Sequence, residues 1–514
     1  MSAAGGQGQD FIAVIVAQLS RSTRSAGSRE NIGYAMKTAK IITALISLLA
    51  LLLLANCGGK EQPAQTSGVE PGKAAKMAVS ELTDEQVENI VRRSYQYVAM
   101  YNVNNKFALK NGGWNKCVAD TQLKDDTTRE IARPNNDTLY IGCMLDLRND
   151  PVILDIPAFD SKYASLMVTG YDHYVNVPMS VTKGDFGKPE KALFYTSRTE
   201  GFDGGKVEGV DRNIEMTGDF VSAVFRVMPH ASDKARFERI IGQMQSVKAI
   251  TLSEFQGKPA KPIDDVPFPS VGKTDSDVYE NNFQKVMQFV VNHTSFDLNN
   301  EVEKNFLAAM QAIGIEPGKV FDKSTVTNID GRRFRAIADK IREKEFARAM
   351  DPAVTAKLGM GMFKTRGEIS LETLLIQSVI GPIGLPATEA LYPPVTTVDG
   401  KPMNAQHDYV IRMSKDELPP AGIFWSLTLY DSANGFFIPN EHKKYSVGEN
   451  AGMKLNDQGG IEVYIAAQKP EGVPEENWLP INRKDENLDV ILRIYKPDFE
   501  KYKTWSPPKA EIVK

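Results

Sequence analysis

Residues 424–448 read FWSLTLYDSANGFFIPNEHKKYSVG, and this stretch decides the class of fold. Phe424 to Tyr430 is rich in aromatic and β-branched residues, Asp431 to Gly435 is turn chemistry closing on Asn434-Gly435, and Phe436-Phe437-Ile438 resumes the apolar run. The pattern predicts a β-hairpin. Trp425 reads as its core anchor, with an aromatic binding surface shared with Tyr430 and Tyr445 as the alternative.

Working outward, Tyr409 to Met413, Ile461 to Ala466 and Val490 to Tyr495 add strands around the hairpin. Pro382, Pro386, Pro393 and Pro394 separate this region from a helical block over Ser276 to Ile380. Three apolar stripes mark that block as core-forming: Val278, Phe283, Val286, Met287, Val290; then Phe306, Ala309, Met310, Ile313, closed by Gly314; then Phe334, Ile337, Ala338, Ile341, Phe346. A Pro-rich crossing loop, Gly257 to Lys273, precedes it.

Nearer the start, Thr83-Asp84-Glu85-Gln86 is a capping box opening a helix of about five or six turns. Strands follow: Thr138 to Leu147, then Val152 to Ile156 pairing back on it across the Asn149-Asp150-Pro151 turn, Tyr163 to Val177, and Val221 to Val227 before a helix at Ser232. Short strands punctuated by turns predict an α+β chain, mainly β: two jelly-roll-like β-sandwich domains, 80–256 and 381–514, joined by a linker and helical segment, 257–380.

The N-terminal part reads as targeting. Lys37 and Lys40 precede an apolar run from Ile41 to Ala55, and Leu54-Ala55-Asn56-Cys57 follows. Fifteen residues at about 1.5 Å each cover roughly 22 Å, short of the ~30 Å a membrane span needs. Residues 36–57 resemble a bacterial lipoprotein signal, which implies lipidation of Cys57, a membrane partner through that lipid, and, with Gly58 rather than Asp after it, the periplasmic face of the outer membrane. Met36 reads as the start, residues 1–35 as a gene-model extension, and 58–79 as a flexible tether. Cys117 and Cys143 remain, either a disulfide suited to an oxidising compartment or two separate thiols.

A net charge of −4 from 61 basic and 65 acidic residues, interspersed along the chain, leaves no basic stripe for nucleic acid. No metal or cofactor is expected, since HxH, HExxH and CxxC spacings, a GxSxG elbow and a dinucleotide loop do not occur. Asp172-His173, His407-Asp408 and Glu441-His442 juxtapose acid and base, but neighbours on a strand face opposite ways. Asp137, Asp146, Asp155 and Asp172 flank strands and could supply a glycosidase-like carboxylate pair, although Asp137 also suits an Asx-turn. The best polar cluster for a small-molecule or envelope ligand is Arg133, Asn135, Asn136, Asp137 and Tyr140, with Asp172 and His173 beside it.

Arg133-Pro134-Asn135-Asn136-Asp137-Thr138-Leu139-Tyr140, with Leu145-Asp146 and Pro151-Val152-Ile153-Leu154, resembles the signature of domain of unknown function 1254. Glu389-Ala390-Leu391-Tyr392, Phe424 to Asp431, Lys444-Tyr445-Ser446, Asn477-Trp478-Leu479-Pro480 and Leu492-Arg493-Ile494-Tyr495 resemble its companion, domain 1214. The resemblance implies two β domains around a helical segment, a homo-oligomer in many members, and no assigned reaction. The expected function is therefore an envelope lipoprotein serving as a ligand-binding or interaction scaffold; a periplasmic hydrolase of sugars or esters is the alternative.

Overall fold

The computed structural model describes residues 82–129, 133–262, 266–349, 351, 354 and 357–513. The signal, Cys57 and the tether lie outside them. Among the described residues no helix is long and apolar enough to cross a membrane.

The opening helix, Asp84–Lys110, begins at the expected box: Thr83 and Gln86 exchange side-chain and backbone bonds. Its 27 residues outrun the sequence expectation; of the asparagines near its end, Asn102 and Asn105 find tertiary partners, while both side-chain polar atoms of Asn104 are buried with no hydrogen bond. Asn102 Nδ2 donates to Asp275 at 2.8 Å, and Asn105 Nδ2 to the Tyr171 hydroxyl at 3.0 Å. The helix sits in one apolar core with the helices 275–281, 283–292, 301–311 and 331–349. The three predicted stripes line that core, with one correction. Phe346 is 47% exposed, while Glu345, one turn beyond Ile341, takes the inward position and pairs with Arg92 and Arg348. Gly314 ends its helix at φ +84°, where a Cβ would meet Thr325 O at 2.8 Å.

The first β unit contains β1 (Lys116–Asp120), β2 (Leu139–Asp146), β3 (Val152–Ile156), β4 (Ala164–Thr169), β5 (Val177–Ser180), β6 (Glu190–Tyr195), β7 (Arg212–Glu215), β8 (Phe220–Val227) and β9 (Lys248–Thr251). They form two sheets, β1-β2-β8-β4-β5 and β7-β6-β3-β9. Alternate residues of both, such as Ile141 and Phe225 from one and Leu154 and Phe194 from the other, share one core. β3 does not pair back on β2. Asp150 accepts from Ser253 N and Leu252 N donates to Pro151 O, so the Asn-Asp-Pro corner carries the chain into the second sheet, between β6 and β9.

The second β unit contains β10 (Ala390–Leu391), β11 (Thr396–Thr397), β12 (Met403–Asn404), β13 (Tyr409–Met413), β14 (Ala421–Asp431), β15 (Ser446–Gly448), β16 (Ile461–Ala466), β17 (Trp478–Pro480), β18 (Asn487–Pro497) and β19 (Lys509–Ile512). The sheets β10-β18-β14-β15 and β11-β19-β13-β16-β17 again share one core, which holds Trp425, Leu427 and Leu429. Trp425 is thus the anchor the sequence indicates. The hairpin is real but its return strand is β15, not Phe436 to Ile438. The Asp431 carboxylate accepts from the backbone of Asn434 and Phe436, allowing a single bridge between Tyr430 and Phe437 before Pro439, which has no N–H, ends the ladder.

Cys117 and Cys143 stand directly opposite on β1 and β2, with Cα atoms 4.0 Å apart, and form a disulfide. Closing its 26-residue separation restricts the unfolded chain by about 3 kcal/mol. The double variant Cys117→Ser/Cys143→Ser should lose stability of that order in urea unfolding under oxidising conditions. A reducing agent should produce the same loss in the wild type and none in the variant.

Candidate functional site

The two β units meet along the faces of β2, β8, β4 and of β14, β18 that point away from their own cores. Tyr163, Met167 and Met228 of the first pack there against Phe424, Ala390 and Tyr495 of the second. Along β14 the apolar residues Trp425, Leu427 and Leu429 face inward, and the alternating Ser426, Thr428 and Tyr430 are 1%, 0% and 0% exposed. A period-2 apolar/polar alternation ordinarily marks a wet face. Here the polar face is dry because the Arg133–Thr138 loop lies on it.

Arg133, Asn135 and Asp137 of that loop are committed to the seam, whereas Asn136 Oδ1 is buried with no hydrogen bond. Arg133 Nε donates to Asp489 at 2.7 Å, and its backbone N–H, at a left-handed φ of +53°, donates to Gly435 O at 2.6 Å. Asn135 forms the Asx-turn expected of Asp137: its Oδ1 accepts from Asp137 N at 2.7 Å, and its Nδ2 reaches the Tyr495 hydroxyl at 3.1 Å. This frees the Asp137 carboxylate, 1% exposed, to accept from Ser426 Oγ at 2.6 Å. Asn136 accepts from Asn450 at 3.5 Å through its carbonyl, and Tyr140 lies under the Arg226 guanidinium at 5.4 Å. Burial pushes the Asp137 carboxyl above the usual range, against Arg493 and the Ser426 and Tyr495 hydroxyls, which pull it down.

Asp172 and His173 are sealed as well, and diverge as neighbours should. Asp172 accepts from Thr217 Oγ1 at 2.5 Å and lies 3.8 Å from Arg366, which also approaches buried Glu303 at 2.7 Å. His173, at φ +66°, places Nε2 2.8 Å from Pro382 O and Nδ1 2.8 Å from Ser378 Oγ. The Pro382 carbonyl only accepts, so Nε2 carries a hydrogen, while the Ser378 hydroxyl also donates to Leu374 O at 2.6 Å. The candidate carboxylates do not pair with one another: Asp146 is held by Arg148, Asp155 by Lys191, and Asp137 and Asp172 by the partners above. Among the described residues no group of three or more His, Cys, Asp or Glu is placed to hold a metal ion. The polar end of the hairpin loop closes on itself, with Asn440 bonded to Ile438 O and to both backbone groups of Lys444, and Tyr445 donating to Asp126 at 2.7 Å.

Sequence reasoning missed further charged residues at these joints. Arg493, 4% exposed, donates to Thr428 and the Tyr430 hydroxyl, both at 2.7 Å, and so sits beneath the loop. Glu389, 0% exposed, accepts from Ser180 and Thr182 of the first unit at 2.8 and 2.9 Å. Both lie in quoted family strings, and a charge inside an apolar strand, as in Leu492-Arg493-Ile494, was the available signal. Asp219 accepts from His293 Nδ1 at 2.9 Å and from Arg198 at 2.7 Å. That pair spans 74 positions and left no local signal.

These geometries place both halves of the seam in recognisable domains. Residues 114–247 match a protein of unknown function, DUF1254, and residues 389–499 match a protein of unknown function, DUF1214. The chain carries DUF1254 followed by DUF1214. The Arg133 loop belongs to DUF1254, while Glu389, β14 and Arg493 belong to DUF1214, so the seam joins the two domains. The fold is similar to the crystal structure of the VPA0106 protein from Vibrio parahaemolyticus, at 22% identity and a TM-score of 0.65, covering 84% of this chain and 100% of that one. A putative uncharacterized protein from Burkholderia cenocepacia matches at 12% identity and a TM-score of 0.38, covering 84% and 94%. No curated protein matches.

Removing the carboxylate leaves a buried cation, so Asp137→Ala should destabilise by about 3–5 kcal/mol, whereas Arg133→Ala, which breaks a partly exposed pair, should cost about 1 kcal/mol or less; urea unfolding reads both. Burial lowers the His173 imidazole to about 4. Its contribution is therefore fully present above the ordinary histidine range and is lost as pH falls from about 6.5 toward 4, to a total of roughly 3 kcal/mol. Burial lowers His230 in the same way, so the readout is the difference between wild type and His173→Gln, which should narrow with falling pH across that window.

Proposed function

We propose that this protein is a noncatalytic, lipid-anchored scaffold of the cell envelope, facing the periplasm from the outer membrane, whose two β units act as one rigid body. One observation carries the noncatalytic part: the side chains that looked most like a site, Arg133, Asn135 and Asp137, are spent on joining DUF1254 to DUF1214. The lipoprotein-like signal at residues 36–57 supports the anchor, and the Cys117–Cys143 disulfide fits an oxidising compartment. Self-association into a homo-oligomer is part of the same proposal and rests on the family resemblance.

A hydrolase reading has one favourable observation. His293 is partly exposed and oriented by buried Asp219, as a general base would be. The same residues also tie strand to helix end, since Asp219 N donates to His293 O and Ser295 N to Thr217 O. We prefer the structural role.

Envelope fractionation with intact-mass measurement tests the anchor. The mature wild type should begin at a diacylated Cys57 and require detergent for extraction, and Cys57→Ser should lose the lipid mass. A mature chain that keeps residues before Cys57, or carries no lipid there, would overturn it.

A further inference from the structure

Arg226 is the buried cation that the seam does not explain. It lies on β8 between Phe225 and Val227, whose side chains enter the first β core, so its own side chain points into the seam. Tyr140 on β2 and Ser165 on β4 are its direct cross-strand partners, and the three form a row across the sheet. Arg226 is 5% exposed. Nη2 donates to Ile383 O at 2.9 Å and the ring of Tyr140 lies beneath, but Nη1 is buried with no hydrogen bond. Ser165 Oγ, on a residue 0% exposed, makes no well-formed hydrogen bond, with the Tyr163 hydroxyl at the edge of its reach.

Among the described residues no carboxylate forms an ion pair with Arg226. Arg366, another largely buried guanidinium, shows what is missing: it lies by Glu303 and Asp172. A guanidinium cannot shed its proton to escape the cost of burial, which amounts to several kcal/mol for an unpaired ion. An anion is the complement this position lacks.

We propose that Arg226 Nη1 and Ser165 Oγ form a binding site, between the two β units, for the carboxylate of a small organic acid. The guanidinium supplies charge and a directional donor, and the serine hydroxyl a second donor. Tyr392 of the second unit is 47% exposed while its hydroxyl feels Arg226 and Arg493, so its ring spans solvent and site and gives the rest of the acid an aromatic surface. Arg133 and Asp137 take no part, and the site holds or fails independently of the anchor at Cys57.

The full chain in detergent would be titrated with sodium acetate and sodium benzoate, followed by calorimetry and thermal unfolding at constant ionic strength. Either carboxylate should bind one per chain and raise Tm in the wild type. Ser165→Ala should weaken binding about tenfold, the loss of one hydrogen bond to a charged group. Arg226→Met should abolish it while leaving the ligand-free protein at least as stable, as expected when an unpaired buried charge is removed. Three results would overturn the assignment: no response of the wild type to either acid, a response to phosphate alone, or an unchanged response in Ser165→Ala. The last comparison keeps the test decisive if Arg226→Met does not fold.

Discussion

The seam between the two β units is organised by two ionisable side chains that have left water together. Asp137 comes from the first unit and Arg493 from the second, and neither reaches solvent. Their attraction counters desolvation in part, helped by the hydrogen bonds that fill the remaining donors and acceptors: Ser426 on the carboxyl, Thr428 and Tyr430 on the guanidinium. The Tyr430 hydroxyl in turn donates to Pro134 O at 2.6 Å, which fixes the loop that carries Asp137. An apolar surround, with Phe424 stacked on Tyr495 at 4.1 Å and Tyr163 edge-on to both, keeps water out. Apolar contact supplies cohesion here, and the charges supply register, since a unit rotated or slid by one residue would strand both.

This arrangement explains what was legible in the chain and what was not. The capping box at Thr83, the helical stripes apart from Phe346, and the Trp425 anchor are local patterns, written within a few residues of one another, and they read correctly. The Asn149-Asp150-Pro151 turn was legible as a turn but not as a corner between sheets, because its direction is set by Ser253 and Leu252, a hundred positions on. The Arg133–Asp137 cluster was legible as important and misread in kind. Arg, Asn and Asp in a loop have the same composition whether they await a ligand or another part of the chain, and the partners that decide between these, Ser426 at 289 positions and Asp489 at 356, leave no mark nearby.

Burial of acids recurs away from the seam. Desolvation raises Asp172 and Glu303 as well as Asp137, while Asp219 is held below the usual range because the bonds from His293 and Arg198 outweigh its burial. The difference lies in partner geometry. Asp219 has two close cationic or donor groups on its two oxygens, whereas Asp172 has its cation at 3.8 Å. Polar groups were placed inside this fold wherever helix meets sheet or sheet meets sheet, so that joints between layers, rather than the layers themselves, carry the ionisable residues.

The opening helix has a consequence for how the chain comes to be folded. Nearly all of its faces are buried, and its partners lie far downstream: Ser94 meets Tyr279 across 185 positions, and Arg92 meets Glu345 across 253. Ribosomal synthesis delivers this helix first and its binding surfaces last, with the whole first β unit emerging in between. Until those later helices arrive, an amphipathic segment with Val87, Ile90, Val91 and Val98 exposed must wait in solution, a state open to aggregation and suited to capture by a holding chaperone. The architecture therefore sets a schedule as well as a shape, in which the earliest of the described helices to be made is among the last to be secured.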